Sequence, residues 1–106
     1  MAMINMNTEL FNKMTEGEKP VLVEFWAPWC VYCRRITPAL NKVAEQFAEE
    51  LPVGQVNIDE EPQLAHRENI EVIPTLILYQ KGQALGSIVA PESKAKIEAF
   101  IRENRK

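Results

Sequence analysis

The chain is poor in the residues on which several classes of small protein depend. It has two cysteines and one histidine, whereas a closed structural zinc site needs four ligands. Two cysteines also cannot form the disulfide framework of a small secreted scaffold. With four glycines in all, it has no Gly-rich loop for a nucleotide. We therefore expect no metal site, no bound cofactor and no disulfide-stapled scaffold.

Long apolar runs and an excess of positive charge are also missing. No apolar stretch approaches the roughly 18 residues of a membrane-spanning helix. The segment Met1–Asn5 lacks the basic residues and apolar core of a signal peptide, although a piece of a longer exported protein would look the same. The net charge is -3, which gives no indication of nucleic-acid binding. We expect a cytoplasmic monomer with no membrane or nucleic-acid partner.

What the chain does contain is enough apolar side chain for one core. Apolar residues make up 46% of the sequence and charged residues 25%, which is typical of a globular protein. A length of 106 residues corresponds to one domain rather than two. We therefore treat residues 1–106 as a single domain.

The two cysteines, Cys30 and Cys33, follow the apolar run Val21–Trp26. If this run is a buried strand and the next segment a helix, both thiols lie in the first helical turn and can close a disulfide. The partial positive charge and free N–H groups of a helix N-terminus favour the thiolate of the first cysteine. Because the thiolate is the form that attacks disulfides, the arrangement indicates reversible two-electron redox chemistry.

The apolar spacing elsewhere predicts alternating strands and helices, and hence an α/β fold with a mixed sheet covered by helices on both faces. In chain order, the first predicted elements are a short strand, a helix capped by Asn7 or Thr8 and the strand Val21–Trp26. A helix kinked at Pro38 follows, with apolar spacing as far as Leu51, and then the strand Val53–Ile58. The last elements are a short helix to about Arg67, a hairpin of Thr75–Gln80 and Gln83–Ala90, and a helix from near Ser93.

With these elements in place, the chain resembles the thioredoxin family over essentially its whole length. The residues that carry the resemblance are Phe25–Cys30 with Cys33, Pro38, Asn57–Asp59, Ile73–Thr75 and Gly82. The resemblance implies the thioredoxin fold and a protein-disulfide reductase. Its substrates would be disulfide-containing proteins, and its electrons would come from a thioredoxin-reductase-like enzyme or another dithiol donor. It also implies that Cys30 is the nucleophile and Cys33 the resolving thiol.

Glu24 interrupts the apolar strand at the position of the family's buried carboxylate. A carboxylate in such surroundings is costly to ionise, so we expect a raised pKa and a role as proton acceptor for Cys33. The alternative is that Glu24 reaches solvent at a strand edge. Thioredoxins usually carry Asp here, whereas disulfide isomerase domains carry Glu. Relatives usually place a Lys nearby on the following strand, where this chain has Gln55, so the carboxylate should be harder to ionise.

A second group of residues corresponds to the family's substrate-binding surface. The resemblance implies that the peptide bond before Pro74 is cis and that the Ile73 backbone can pair with an extended substrate. Ala90 stands where thioredoxins often have a glycine, and its methyl group could narrow the groove that receives the substrate backbone. The complete predicted substrate-binding set is Trp29, Val31, Tyr32, Ile73, Pro74 and Ala90.

The pair between the cysteines, Val31 and Tyr32, departs from the Gly-Pro of most thioredoxins. Unlike a proline, Tyr32 keeps a backbone N–H that can stabilise a thiolate on Cys30, and a more stable reduced form makes the disulfide a stronger oxidant. We predict a site that is less reducing than a typical thioredoxin. Three alternatives remain open: a disulfide oxidase or isomerase-like domain, a glutathione-linked enzyme, and a non-catalytic binding module with the same fold.

Overall fold

The structure, a computed structural model, describes residues 3–105. The elements follow the order predicted from the sequence. They are β1 (Met3–Asn5), α1 (Thr8–Thr15), β2 (Val21–Trp26), α2 (Val31–Phe47), β3 (Val53–Asn57), α3 (Pro62–Arg67), β4 (Thr75–Gln80), β5 (Gln83–Val89) and α4 (Lys94–Asn104). No helix of this described range is long and apolar enough to cross a membrane.

The five strands form one mixed sheet in the order β1-β3-β2-β4-β5. Strands β1, β3 and β2 are parallel, whereas β4 runs antiparallel to β2 and β5 antiparallel to β4. Strand β2 is therefore central, with Glu24 in register between Gln55 of β3 and Leu76 of β4. This topology confirms the predicted α/β fold and places the cysteines at the carboxyl end of the central strand.

The side chains of the central strands alternate between two apolar layers, because successive residues of a strand point to opposite faces. Leu22 and Leu76 belong to the layer under α2 and α4, with Leu40 and Ile97. The opposite layer includes residues of α1 and α3; its main members are Phe11, Val21, Val23, Phe25, Val56, Leu64, Ile77 and Tyr79. Both faces of the sheet are thus covered, which accounts for the continuous apolar run in β2.

Three element ends differ from the sequence prediction. Helix α2 ends at Phe47 because Ala48 adopts a positive φ of 43°, so the prediction that it continues to Leu51 is wrong. Leu51 is buried in the core outside the helix. Strand β5 ends at Val89, one residue early, because Ala90 has a φ of 47°. Strand β3 likewise ends one residue before the predicted Ile58.

Candidate active site at the start of helix α2

Cys30 and Cys33 are joined by a disulfide, with their Cα atoms 5.3 Å apart. Cys30 is the N-cap of α2, and its Sγ accepts a hydrogen bond from the backbone N–H of Cys33 at 3.2 Å. Cys30 is 7% exposed and Cys33 only 1%. Of the two sulfur-bearing residues, Cys30 is therefore the one a partner molecule can approach.

The start of α2 favours negative charge on Cys30. The first turn of this 17-residue helix contains no acidic side chain, so nothing opposes the positive end of the helix dipole there. The N–H of Tyr32 pairs with no acceptor in residues 3–105. An N-cap side chain can accept from the N–H groups two or three residues on, so both Tyr32 and Cys33 offer donors to a Cys30 thiolate.

Glu24 is buried in the sheet. It is 2% exposed, so the alternative that it reaches solvent is wrong. It lies on the same face of β2 as Leu22, which packs under α2, and α2 carries Cys33. Its Oε2 has no hydrogen-bond partner in the described chain, and burial raises the pKa of this carboxyl from 4.5 to about 7. Such a group can take up a proton near neutral pH.

Gln55 does not hydrogen-bond to the Glu24 carboxyl. Although it lies beside Glu24 in the β2–β3 register, its Nε2 donates to Asn5 Oδ1 of β1 at 2.5 Å. The neighbouring Trp26 packs against the cluster formed by Ala27, Cys30 and Cys33, and its indole Nε1 is also buried and without a partner in residues 3–105. Within residues 3–105, neither the Gln55 amide nor a Lys or Arg side chain pairs with the Glu24 carboxyl.

Two exposed apolar residues, Trp29 and Val31, flank Cys30 in the chain. Trp29 is 64% exposed, and its indole N–H donates to Asp59 Oδ2 at 3.0 Å, which fixes the ring beside the cysteines. Val31 is 57% exposed and Val72 54%. Val72, which directly precedes Ile73, was not among the predicted substrate-binding residues.

The segment opposite the cysteines is formed by two chain regions that the sequence singled out. The Ile73–Pro74 peptide bond is cis, as the resemblance implied, and Ile73 packs against the cluster that contains Cys30. The C=O of Pro74 accepts from the N–H of Ala90 at 2.9 Å. The structure thus brings Ala90 next to Pro74, on the same side of the molecule as the disulfide.

Tyr32 is not a free surface aromatic. Its ring is half-buried against the core layer under α2 and α4, and its hydroxyl donates to the C=O of Pro91 at 3.4 Å. This links the turn between the cysteines to the loop that follows β5. Ala90, in that loop, has the left-handed backbone that glycine adopts most easily.

Within residues 3–105, no three of the His, Cys, Asp and Glu side chains come together as metal ligands. His66 is exposed on α3.

Comparison with known proteins agrees with this geometry. A family model described as Thioredoxin matches residues 2–103. A thioredoxin of Alicyclobacillus acidocaldarius subsp. acidocaldarius is 38% identical over 93 residues, covering 88% of this chain and 89% of that protein. A thioredoxin of Acidithiobacillus ferridurans is 42% identical, covering 81% and 80%. A bifunctional thioredoxin reductase/thioredoxin of Mycobacterium leprae is 35% identical, covering 86% of this chain and 20% of that protein.

Proposed function

The chain belongs to the thioredoxin family and is a thiol–disulfide oxidoreductase, and we propose that Cys30 is its nucleophile and Cys33 its resolving thiol. The observation that carries this assignment is the asymmetry of the pair. Cys30 caps α2 with its sulfur toward backbone N–H groups, whereas Cys33 is buried in the first turn. Residues 1–106 act as one thioredoxin-like domain.

The reaction has two exchange steps. The Cys30 thiolate attacks one sulfur of a partner's disulfide; the partner's S–S bond breaks, a mixed disulfide forms, and the departing thiolate takes up a proton. Glu24 then accepts the proton of Cys33, directly or through a water molecule, and the Cys33 thiolate attacks Sγ of Cys30. The mixed disulfide breaks, the Cys30–Cys33 disulfide forms, and the partner leaves with both sulfurs reduced. The partner gains two electrons and the enzyme loses two.

The redox-active group is the cysteine pair itself, without a bound cofactor. Return of the enzyme to the dithiol form requires two electrons from another dithiol. The fusion of a thioredoxin reductase to a thioredoxin in the M. leprae relative supports a thioredoxin-reductase-like donor. The enzyme is a cytoplasmic monomer. Its substrates are disulfide-containing proteins.

The substrate lies across the surface formed by Trp29, Val31, Ile73, Pro74 and Ala90. The backbone N–H and C=O of Ile73 form no backbone hydrogen bond within residues 3–105. An extended segment of the partner can pair with them as an added strand does at a sheet edge. This contact aligns the partner's disulfide with Cys30.

The site is less reducing than that of a typical thioredoxin. The support is the N–H of Tyr32, which is free to donate to a Cys30 thiolate and which a proline at this position would lack. Equilibration of the protein with mixtures of reduced and oxidised glutathione measures its potential. A value above the about -270 mV of thioredoxin agrees with the proposal, and a value at or below it refutes it.

An insulin-reduction assay with dithiothreitol as electron donor tests the function. Wild type should accelerate insulin precipitation, whereas Cys30→Ser and Cys33→Ser should lose the acceleration. Glu24→Gln should slow turnover, and Glu45→Gln, an exposed carboxylate on the same helix as Cys33, should not. Cysteine-independent activity or none in wild type would instead favour a binding module.

A further inference from the structure

Helix α3 is preceded by a side chain that does not cap its own helix. Glu61 is the N-cap of α3, but within residues 3–105 its side chain makes no capping hydrogen bond, although an N-cap side chain commonly accepts from the first helical turn. Its Oε1 instead accepts from the N–H of Thr8 at 3.0 Å and from the Thr8 hydroxyl at 2.6 Å. Thr8 is the first residue of α1 and lies 53 positions earlier in the chain. The carboxylate therefore ties the start of α3 to the start of α1.

This contact anchors the turn that joins β3 to α3. The N–H of Asp59 donates to Asn57 Oδ1 at 2.9 Å. The N–H groups of Glu60 and Glu61 donate to the Asn57 C=O at 3.1 and 3.0 Å. The turn is thus a compact unit, fixed at one end by strand β3 and at the other by the Glu61 side chain. Because the acceptor is a carboxylate and the contact is partly buried, its hydrogen bonds are stronger than those of an exposed neutral pair.

The same turn orients the exposed ring that follows β2. Asp59 lies two residues before Glu61 and accepts from the Trp29 indole N–H at 3.0 Å. Trp29 is 64% exposed, so core packing does not restrain most of its ring, and the hydrogen bond to Asp59 sets its direction. A shift of the turn would carry Asp59 away from the ring and release it.

The far end of α3 is held by separate contacts. The Arg67 guanidinium donates to Asn12 Oδ1 at 2.8 Å, and the Tyr79 hydroxyl donates to Glu68 Oε1 at 2.7 Å. Tyr79 is 3% exposed, so this end of the helix is anchored in the core. Loss of the Glu61 contact should therefore loosen the start of α3 and the turn before it without freeing the whole helix.

We propose that Glu61 is a positioning residue that acts on Trp29 through Asp59. The inference rests on the proposed function, in which the Trp29 ring forms part of the substrate-binding surface. A ring that is already fixed costs a protein substrate less to immobilise on binding. A small disulfide without a polypeptide does not need this surface, so its reduction should not depend on Glu61.

Thr8→Val removes the hydroxyl that donates to Glu61 and keeps a side chain of similar size. In the disulfide form of this variant, the heteronuclear NOE of the Trp29 indole N–H should fall, because the ring moves more on the picosecond-to-nanosecond timescale. The second-order rate constant for reduction of insulin by the dithiol form should fall about two- to fivefold, whereas that for hydroxyethyl disulfide should stay within about twofold of wild type. Thr8→Ser, which keeps a hydroxyl, should match wild type in all three measurements.

Further variants separate positioning from stability. Glu61→Ala removes both hydrogen bonds, so it should match or exceed the effects of Thr8→Val, and it replaces that variant if Thr8→Val does not fold. Glu60→Ala, at an exposed neighbouring carboxylate, should change neither the indole NOE nor the insulin rate. Tyr79→Phe, which releases the far end of α3, should lower Tm but leave both of these unchanged. In an Asp59→Ala protein, Thr8→Val should cause no further loss of insulin reduction.

The outcomes distinguish the positioning role from the proposed function. An unchanged indole NOE and insulin rate in folded Thr8→Val or Glu61→Ala protein would overturn the role of Glu61. Losses of the same size in Tyr79→Phe would also overturn it, since they would reflect stability alone. If wild type reduces neither insulin nor hydroxyethyl disulfide, the proposed function itself is wrong.

Discussion

Replacement of Glu24 by Gln should make the protein more stable at pH 8. The carboxyl is 2% exposed, and burial raises its pKa from 4.5 to about 7. Between these two values the unfolded chain has lost this proton and the folded chain still holds it, so the free energy of unfolding falls as pH rises. The stability that the protonated carboxyl contributes is fully present below about pH 4.5 and lost by about pH 7. The loss amounts to about 3 kcal/mol.

Denaturant unfolding of the disulfide form at pH 5 and pH 8 measures this loss. Wild type should be less stable at pH 8 by up to about 3 kcal/mol from this group, whereas Glu24→Gln should lack that part of the pH dependence. The free energy of unfolding of the variant should therefore exceed that of wild type at pH 8, and its Tm should be higher by about 13 °C for a domain of this size. Glu49→Gln, an exposed control, should stay within about 0.5 kcal/mol of wild type. A Glu24→Gln protein that is no more stable than wild type at pH 8 would refute the account of this carboxyl.

Three further substitutions test neighbouring parts of the site. Gln55→Lys should place an ammonium beside the carboxyl and lower the pKa of Glu24 below about 7, which NMR titration would measure. A Gln55→Met control should not lower this pKa, and an unchanged pKa in the Lys variant would contradict the predicted contact. Ala90→Gly should stabilise the protein by about 0.5–1 kcal/mol in denaturant unfolding, because it relieves the strain of an alanine in the left-handed region. Ala84→Gly, within β5, should destabilise the protein by a similar amount. A loss of stability in both variants would exclude backbone strain at Ala90. Tyr32→Pro should lower the redox potential by about 10–30 mV against glutathione, because it removes one N–H donor to the thiolate, and an unchanged or higher potential would refute that role.

The fold was predictable from the sequence because each local signal agreed with the others. A continuous apolar strand, an N-terminal cap at Ser93 and a turn at Lys81-Gly82 all appear where the pattern placed them. The two turn residues have φ values of 55° and 77°, as a two-residue hairpin loop with the sheet's twist requires. The ends of helices and strands were harder to predict. Ala48 and Ala90 have a positive φ, and an alanine in the sequence does not signal this conformation.

Individual side-chain partners were the least predictable part of the site. Periodicity placed Glu24 in a buried strand, but it could not reveal that Gln55 turns to Asn5. It could not place the Tyr32 hydroxyl on a carbonyl 59 positions away in the chain.

Trapping of the mixed disulfide tests the central claim most directly. Cys33→Ser, reduced and then mixed with a disulfide-bearing protein such as insulin, should accumulate a covalent adduct because the second exchange step has no thiol. Peptide mapping by mass spectrometry should locate the link at Cys30, and Cys30→Ser treated in the same way should give little or no adduct. An adduct formed mainly through Cys33 in the Cys30→Ser protein, or none through Cys30, would contradict the assignment of nucleophile and resolving thiol.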